Sequence, residues 1–106
     1  GGYIERDITA NINVSVVDFT GFDKAKPINF LWIWDRLSAS INQEIAIGGF
    51  SQGFSTRGLY SVFFNSDSDG RVYHSYACIL QTDEVLFTDT TQTGYTLIQV
   101  LMYQNV

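Results

Sequence analysis

The residues best suited to chemistry lie in the middle of the chain, at Gly49-Phe50-Ser51-Gln52-Gly53. A serine flanked two residues away by glycines can sit on a sharp turn with its hydroxyl exposed, as a nucleophile requires. Ile45-Ala46-Ile47 before it is apolar enough to form the strand leading into such a turn. The hydroxyl also needs a base and an acid. His74 is the single histidine, and Asp67 and Asp69 fall between it and Ser51. The surroundings argue against the reaction. Gln52-Gly53-Phe54-Ser55-Thr56-Arg57-Gly58 should be a helix, yet it holds two glycines and a β-branched residue, which disfavour one. A Gly-rich turn between strands accounts for the segment without chemistry.

With Gly48 in front, Gly48 to Gly53 resembles the serine elbow of carboxylesterases and acyl-protein thioesterases of the α/β-hydrolase family. The resemblance implies Ser51 as nucleophile and a chain order of serine, acid, histidine. It also implies several βαβ units with crossovers of about a dozen or more residues, which 106 residues with almost no helical pattern cannot supply. The expectation is therefore no catalytic residue and no enzyme.

Other sites are weighed the same way. Asn65, Asp67, Asp69 and Gly70 match the first half of a calcium loop, but the position that should hold a bidentate glutamate is Tyr76. One histidine and one cysteine are too few for a zinc site. No metal and no cofactor are expected. Cys78, between Ala77 and Ile79, reads as a small buried hydrophobe. Asp83, Glu84 and Asp89 read as solvated loop charges. Trp32 and Trp34 share one face of a strand at i and i+2. Exposed, they would form a platform for the apolar side of a sugar ring, with His74 a further candidate ligand-binding residue. Buried, they are a core or subunit-interface cluster.

The elements that must position these residues are strands. Period-two alternation is common and helical periodicity hard to find. Ile8, Ala10, Ile12, Val14 and Val16 alternate with Thr9, Asn11, Asn13 and Ser15, which predicts a half-buried strand. Ile41 to Ile47 is a weaker run of the same kind. Three segments are apolar on both faces: Ile28 to Leu37, Leu59 to Phe64 and Tyr95 to Tyr103. In the first, Ile28, Phe30, Trp32 and Trp34 oppose Leu31, Ile33 and Leu37. In the last, Tyr95, Leu97, Leu101 and Tyr103 oppose Ile98, Val100 and Met102. Asn65 to Gly70 predicts a hairpin loop, and Gly21 to Pro27, Gly48 to Gly53 and Thr88 to Gly94 further connections. Seven or eight short strands at near-regular spacing predict an all-β antiparallel sandwich or jelly roll.

Composition narrows the function. The formal charge is −5 and only 16% of residues are charged, so a phosphate backbone would be repelled and no nucleic acid is expected. No apolar run is long enough for a membrane-spanning helix. A domain of 106 residues buries one core, so the second apolar faces need a cover. Another copy of the chain fits, since a surface pressed on a partner carries few charges. The expected interface residues are Leu31, Ile33, Phe63, Ile98, Val100 and Met102.

In its many short strands, Tyr/Asn/Thr/Ser richness, low charge, single Cys and apolar last strand, the chain resembles the terminal head domains of bacteriophage tail fibres and receptor-binding proteins. The resemblance implies a homotrimer in a virion or outside the cell, attached to a host surface receptor, often a glycan. Residues 1–106 would be a single domain at the C-terminal end of a longer protein, to which the opening Gly1-Gly2-Tyr3 is suited. The alternatives are a monomeric carbohydrate-binding module of a secreted enzyme and a purely architectural virion protein.

Overall fold

The computed structural model describes residues 1–14, 17–37, 49–50, 56–57, 62–66, 70–80, 87–88 and 90–105. It is an all-β domain built on one antiparallel sheet. The strands are β1 (Tyr3–Asp7), β2 (Ile28–Arg36), β3 (Gly49–Phe50), β4 (Thr56–Arg57), β5 (Val62–Ser66), β6 (Arg71–Leu80), β7 (Phe87–Thr88) and β8 (Tyr95–Asn105). The main sheet runs β1-β8-β2-β6, and the far edge of β6 is shared by β5 and β4. The short pair β3–β7 stands apart from it. Gly49 and Phe50, expected in a turn, are thus a short strand. Asn65 and Ser66, expected in a loop, are instead the last residues of β5, and from Ser66↔Val72 onward β5 and β6 pair as a hairpin. Gly70 closes it at φ +83, a backbone conformation in which a side chain is strained.

The centre is β2, Ile-Asn-Phe-Leu-Trp-Ile-Trp-Asp-Arg, rich in the aromatic and β-branched residues that suit a pleated surface. It is bonded on both sides, to β6 and β8. Ile28, Phe30, Trp32 and Trp34 are wholly buried, while Leu31 and Ile33 between them are half-buried. The core face is therefore the indole face. Val72, Tyr76, Cys78 and Leu80 of β6 extend it on one side.

On the other side β8 carries a bulge. Ile33 is opposite Gln99 but Trp34 is opposite Leu97, so Ile98 is the extra residue. The bulge shifts the strand's alternation by one. Tyr95 and Leu97 before it and Val100, Met102 and Gln104 after it all join the core. The expected division of β8, with Tyr95 and Leu97 opposing Val100 and Met102, is corrected: strict alternation cannot pass through an inserted residue.

The N-terminal expectation is also corrected. The strand there is β1, and Ile8 to Val14 turns away from it. Thr9–Asn11 form a 3-10 turn, Ile8 and Ile12 are buried, and Val14 is exposed. Asp7 makes the corner: its Oδ1 accepts from the Thr9 backbone N–H at 2.9 Å and from the Thr9 hydroxyl at 2.6 Å. Residues 8 and 12 fall on one side in both a strand and a helical turn, so two buried isoleucines four apart do not distinguish them.

From that corner residues 8–14 and 17–22 lie over the core face, with Ile8, Ile12, Val17 and Phe19 buried in it and Phe22 packed against it. Each buried apolar side chain of this size is worth about 1.5–3 kcal/mol. Gly21 sits where a Cβ would come within 2.5 Å of Ile4 Cδ1, at φ +90. Gln104 ties the end of the segment to the sheet. It is 3% exposed; its Oε1 accepts from Asp23 N–H at 2.8 Å and its Nε2 donates to the carbonyls of Asp23 at 2.8 Å and Pro27 at 3.2 Å. The first apolar face is thus covered by the chain itself. Replacing Gln104 by Leu removes these partners at similar volume. Urea unfolding followed by circular dichroism should show a loss of about 2–3 kcal/mol, the cost of buried backbone groups left unbonded.

Candidate functional site

The tryptophan pair is geometrically as its spacing predicts and chemically different. The Trp32 and Trp34 rings lie 6.1 Å apart and 12° from parallel. Phe87 meets Trp32 edge-on at 5.6 Å, and Trp32 Nε1 donates to the Tyr76 hydroxyl at 3.0 Å. Phe30 stacks on Tyr76 at 5.6 Å. Both indoles are wholly buried, so neither offers a face to a sugar ring. This corrects their assignment as ligand-binding residues: they are the core cluster, with the indole N–H of Trp32 satisfied inside. Val100 and Met102 are equally buried and leave the expected interface, because the bulge brings them to the core side.

His74 is paired in register with Trp32 on β2 and with Phe64 on β5. Cys78 is buried, and burial pushes its thiol up to about 12. It is a neutral packing group at physiological pH rather than a nucleophile. Ser51, Asp67, Asp69, Asp83, Glu84 and Asp89 lie outside the described residues. Among the described residues no group of three or more His, Cys, Asp or Glu could hold a metal ion, and no helix is long and apolar enough to cross a membrane.

What the sheet presents instead is its outer face. The register aligns Asp7–Leu101–Leu31–Ser75 in one row across β1, β8, β2 and β6, with Phe63 of β5 registered beside Ser75. The neighbouring rows are Glu5–Tyr103–Asn29–Ala77 and Gln99–Ile33–Tyr73. Leu31, Ile33, Leu101, Tyr73 and Tyr103 are half-buried, and so is Ile98 at the bulge. Of the expected interface residues, Leu31 and Ile33 thus lie together at the centre of this face, and Phe63 is in register with it. Tyr73, Leu101 and Tyr103 were not among them. Period-two counting along β6 from Val72 and Tyr76 would have found Tyr73; placing it beside Ile33 needs the strand pairing.

Charges sit at the margins. Glu5 and Asp7 are exposed on β1. The Asp7 carboxyl is held below its ordinary 3.8, first by the Thr9 hydroxyl, then by Gln99, whose Nε2 donates to Oδ2 at 2.8 Å, and by the Thr9 N–H; slight burial opposes them. On the other side Arg71 Nε is 3.2 Å from Asp35 Oδ1. Tyr73 and then Asp35 raise the Arg71 guanidinium further above its already high value. Asp18, below its ordinary value because the Thr20 hydroxyl and N–H bond to it, caps a turn of the covering segment, and Arg6 Nη1 donates to the Asp18 carbonyl at 2.6 Å.

Compared with family models, curated proteins and solved structures, the chain matches none.

Because the folded carboxyl of Asp7 is the stronger acid, its contribution is present above the ordinary carboxylate value and lost as pH falls through the folded one. Asp7→Asn should therefore be less stable than the parent at about pH 6, and the difference should be smaller at about pH 3, below the ordinary carboxylate value. Thermal melts at the two pH values check this; a difference independent of pH would contradict it.

Proposed function

We propose that this domain is a non-enzymatic structural and binding domain that assembles with copies of itself. In this reading it has a β-sandwich or jelly-roll build and forms the head of a phage tail fibre or receptor-binding protein. It would work in a virion or outside the cell, as a homotrimer contacting a host surface receptor, a glycan among the candidates. One observation carries the self-association: with the core face already packed by Ile8, Ile12, Val17, Phe19 and Phe22, the sheet still has a second apolar surface centred on the half-buried Leu31, Ile33 and Leu101. A protein surface that works alone in water is usually richer in charge; here the charged share is 16%. The sandwich build is supported by Phe87 of the β3–β7 pair, which packs on Phe30 and Trp32 from the core side as a second layer would.

A monomeric carbohydrate-binding module is the less favoured reading, since the indole platform it would use is inside the core. Light scattering decides between them. The proposal expects a mass near three times 11.9 kDa at micromolar concentration. A stable monomer would overturn it. A glycan array of bacterial surface polysaccharides then tests the receptor: specific binding supports the attachment role, and none supports an architectural protein without a ligand.

A further inference from the structure

We infer that the copies share the outer face of the sheet and leave the β1 edge free, an inference that rests on the self-association proposed above. The occupant of the face is a second copy of this chain. The size fits. β1, β8, β2, β6 and β5 lie side by side, and β2 and β8 are 9 and 11 residues long. At about 4.8 Å per strand and about 3.3 Å per residue these five strands, of which β1 and β5 are short, cover roughly 600 Å². A stable interface takes about 800 Å² from each partner. The chemistry fits as well: aliphatic Leu31, Ile33 and Leu101 at the centre, Tyr73 and Tyr103 beside them, and charges at the rim.

The rival surface is the edge. Among the described residues β1 is bonded on one side only, to β8. A second β1 laid antiparallel beside it about a two-fold axis keeps outward residues opposite outward residues. One register then sets Glu5 opposite Glu5. The next sets Arg6 opposite Arg6 and Glu5 opposite Asp7. The register centred on Ile4 pairs Tyr3 to Glu5 alone. Like charges directly opposite destabilise a strand pair, and charged residues are a common guard on edges.

The rims also set the orientation. Glu5 and Asp7 mark the β1 side as acidic, whereas on the β6 side Arg71 neutralises Asp35. Placing two β1 rims together would crowd four carboxylates. Placing the β1 side of one copy against the β6 side of the next avoids this, and a three-fold ring makes that unlike contact at every interface.

Light scattering on the whole chain at micromolar concentration tests the inference. Ile33→Glu and Leu101→Glu probe the face, and Tyr3→Pro probes the edge, where a proline at the first residue blocks strand addition. Each face variant should reduce the assembly to single chains with an unchanged β spectrum, and Tyr3→Pro should keep the wild-type mass. To separate dissociation from unfolding, the milder Ile33→Gln should raise the concentration at half-assembly by about tenfold or more, as expected for a central interface position, while still melting cooperatively. An assembly that survives both glutamates, or that only Tyr3→Pro dissolves, overturns the shared face and leaves self-association standing. A wild-type chain that is monomeric overturns the proposed function itself.

Discussion

Everything in this domain is arranged around the burial of one face of β2. Ile28, Phe30, Trp32 and Trp34 form an unbroken apolar row on the central strand, each with a neighbour on β6 and the last three with another on β8. Burying a phenylalanine is worth about 1.5–3 kcal/mol, and the larger indoles more, so no arrangement that leaves this row in water competes. The indole N–H of Trp32 could have opposed burial, but the Tyr76 hydroxyl on β6 accepts it. Ile8, Ile12, Val17 and Phe19 pack across the row, and Phe87 reaches it from outside the main sheet.

That cover imposes a condition on the backbone, met where β1 ends. β1 must release the edge of β8 so that the chain can rise over the core, which leaves the next ladder groups of β8 unpaired. The Ile8 N–H takes the Val100 carbonyl at 2.9 Å, and the Thr9 hydroxyl takes the Val100 N–H at the same distance. Asp7 holds Thr9 in place from one oxygen and Gln99 from the other. The corner, the bulge at Ile98 and the cap on Val100 thus lie within a few residues of one another on β8. Buried backbone groups need partners, and here a single threonine hydroxyl and its aspartate supply what strand pairing no longer does.

The outer face stands in contrast. Its residues are half-buried, yet it carries the same aliphatic residues as a core. An aliphatic centre with tyrosines beside it and carboxylates at one rim is the composition of a surface that meets another protein surface. The reading of this protein as an assembling, receptor-contacting domain depends on that contrast more than on any single residue.

The sequence by itself determined that the chain is all-β, that the segment from Ile28 has two distinct apolar faces, that a hairpin closes at Gly70, and that Cys78 packs rather than reacts. Alternation and turn chemistry are local properties, expressed within a few residues, and a strand keeps them wherever it sits. Only the tertiary structure decided which face of β2 is the inside. Both faces are apolar, and what separates them is the packing of Ile8, Ile12, Val17 and Phe19 on one of them, contacts distant in sequence. The same holds for β8. An inserted residue at Ile98 is invisible in the residue types and appears only when Ile33 and Trp34 choose their partners. It carries Val100 and Met102 inward and leaves Leu101 and Tyr103 outward. Trp32 and Trp34 show the limit most plainly: their spacing guarantees that they share a face, but burial, which determines whether they can stack on a ligand, is a property of the rest of the chain.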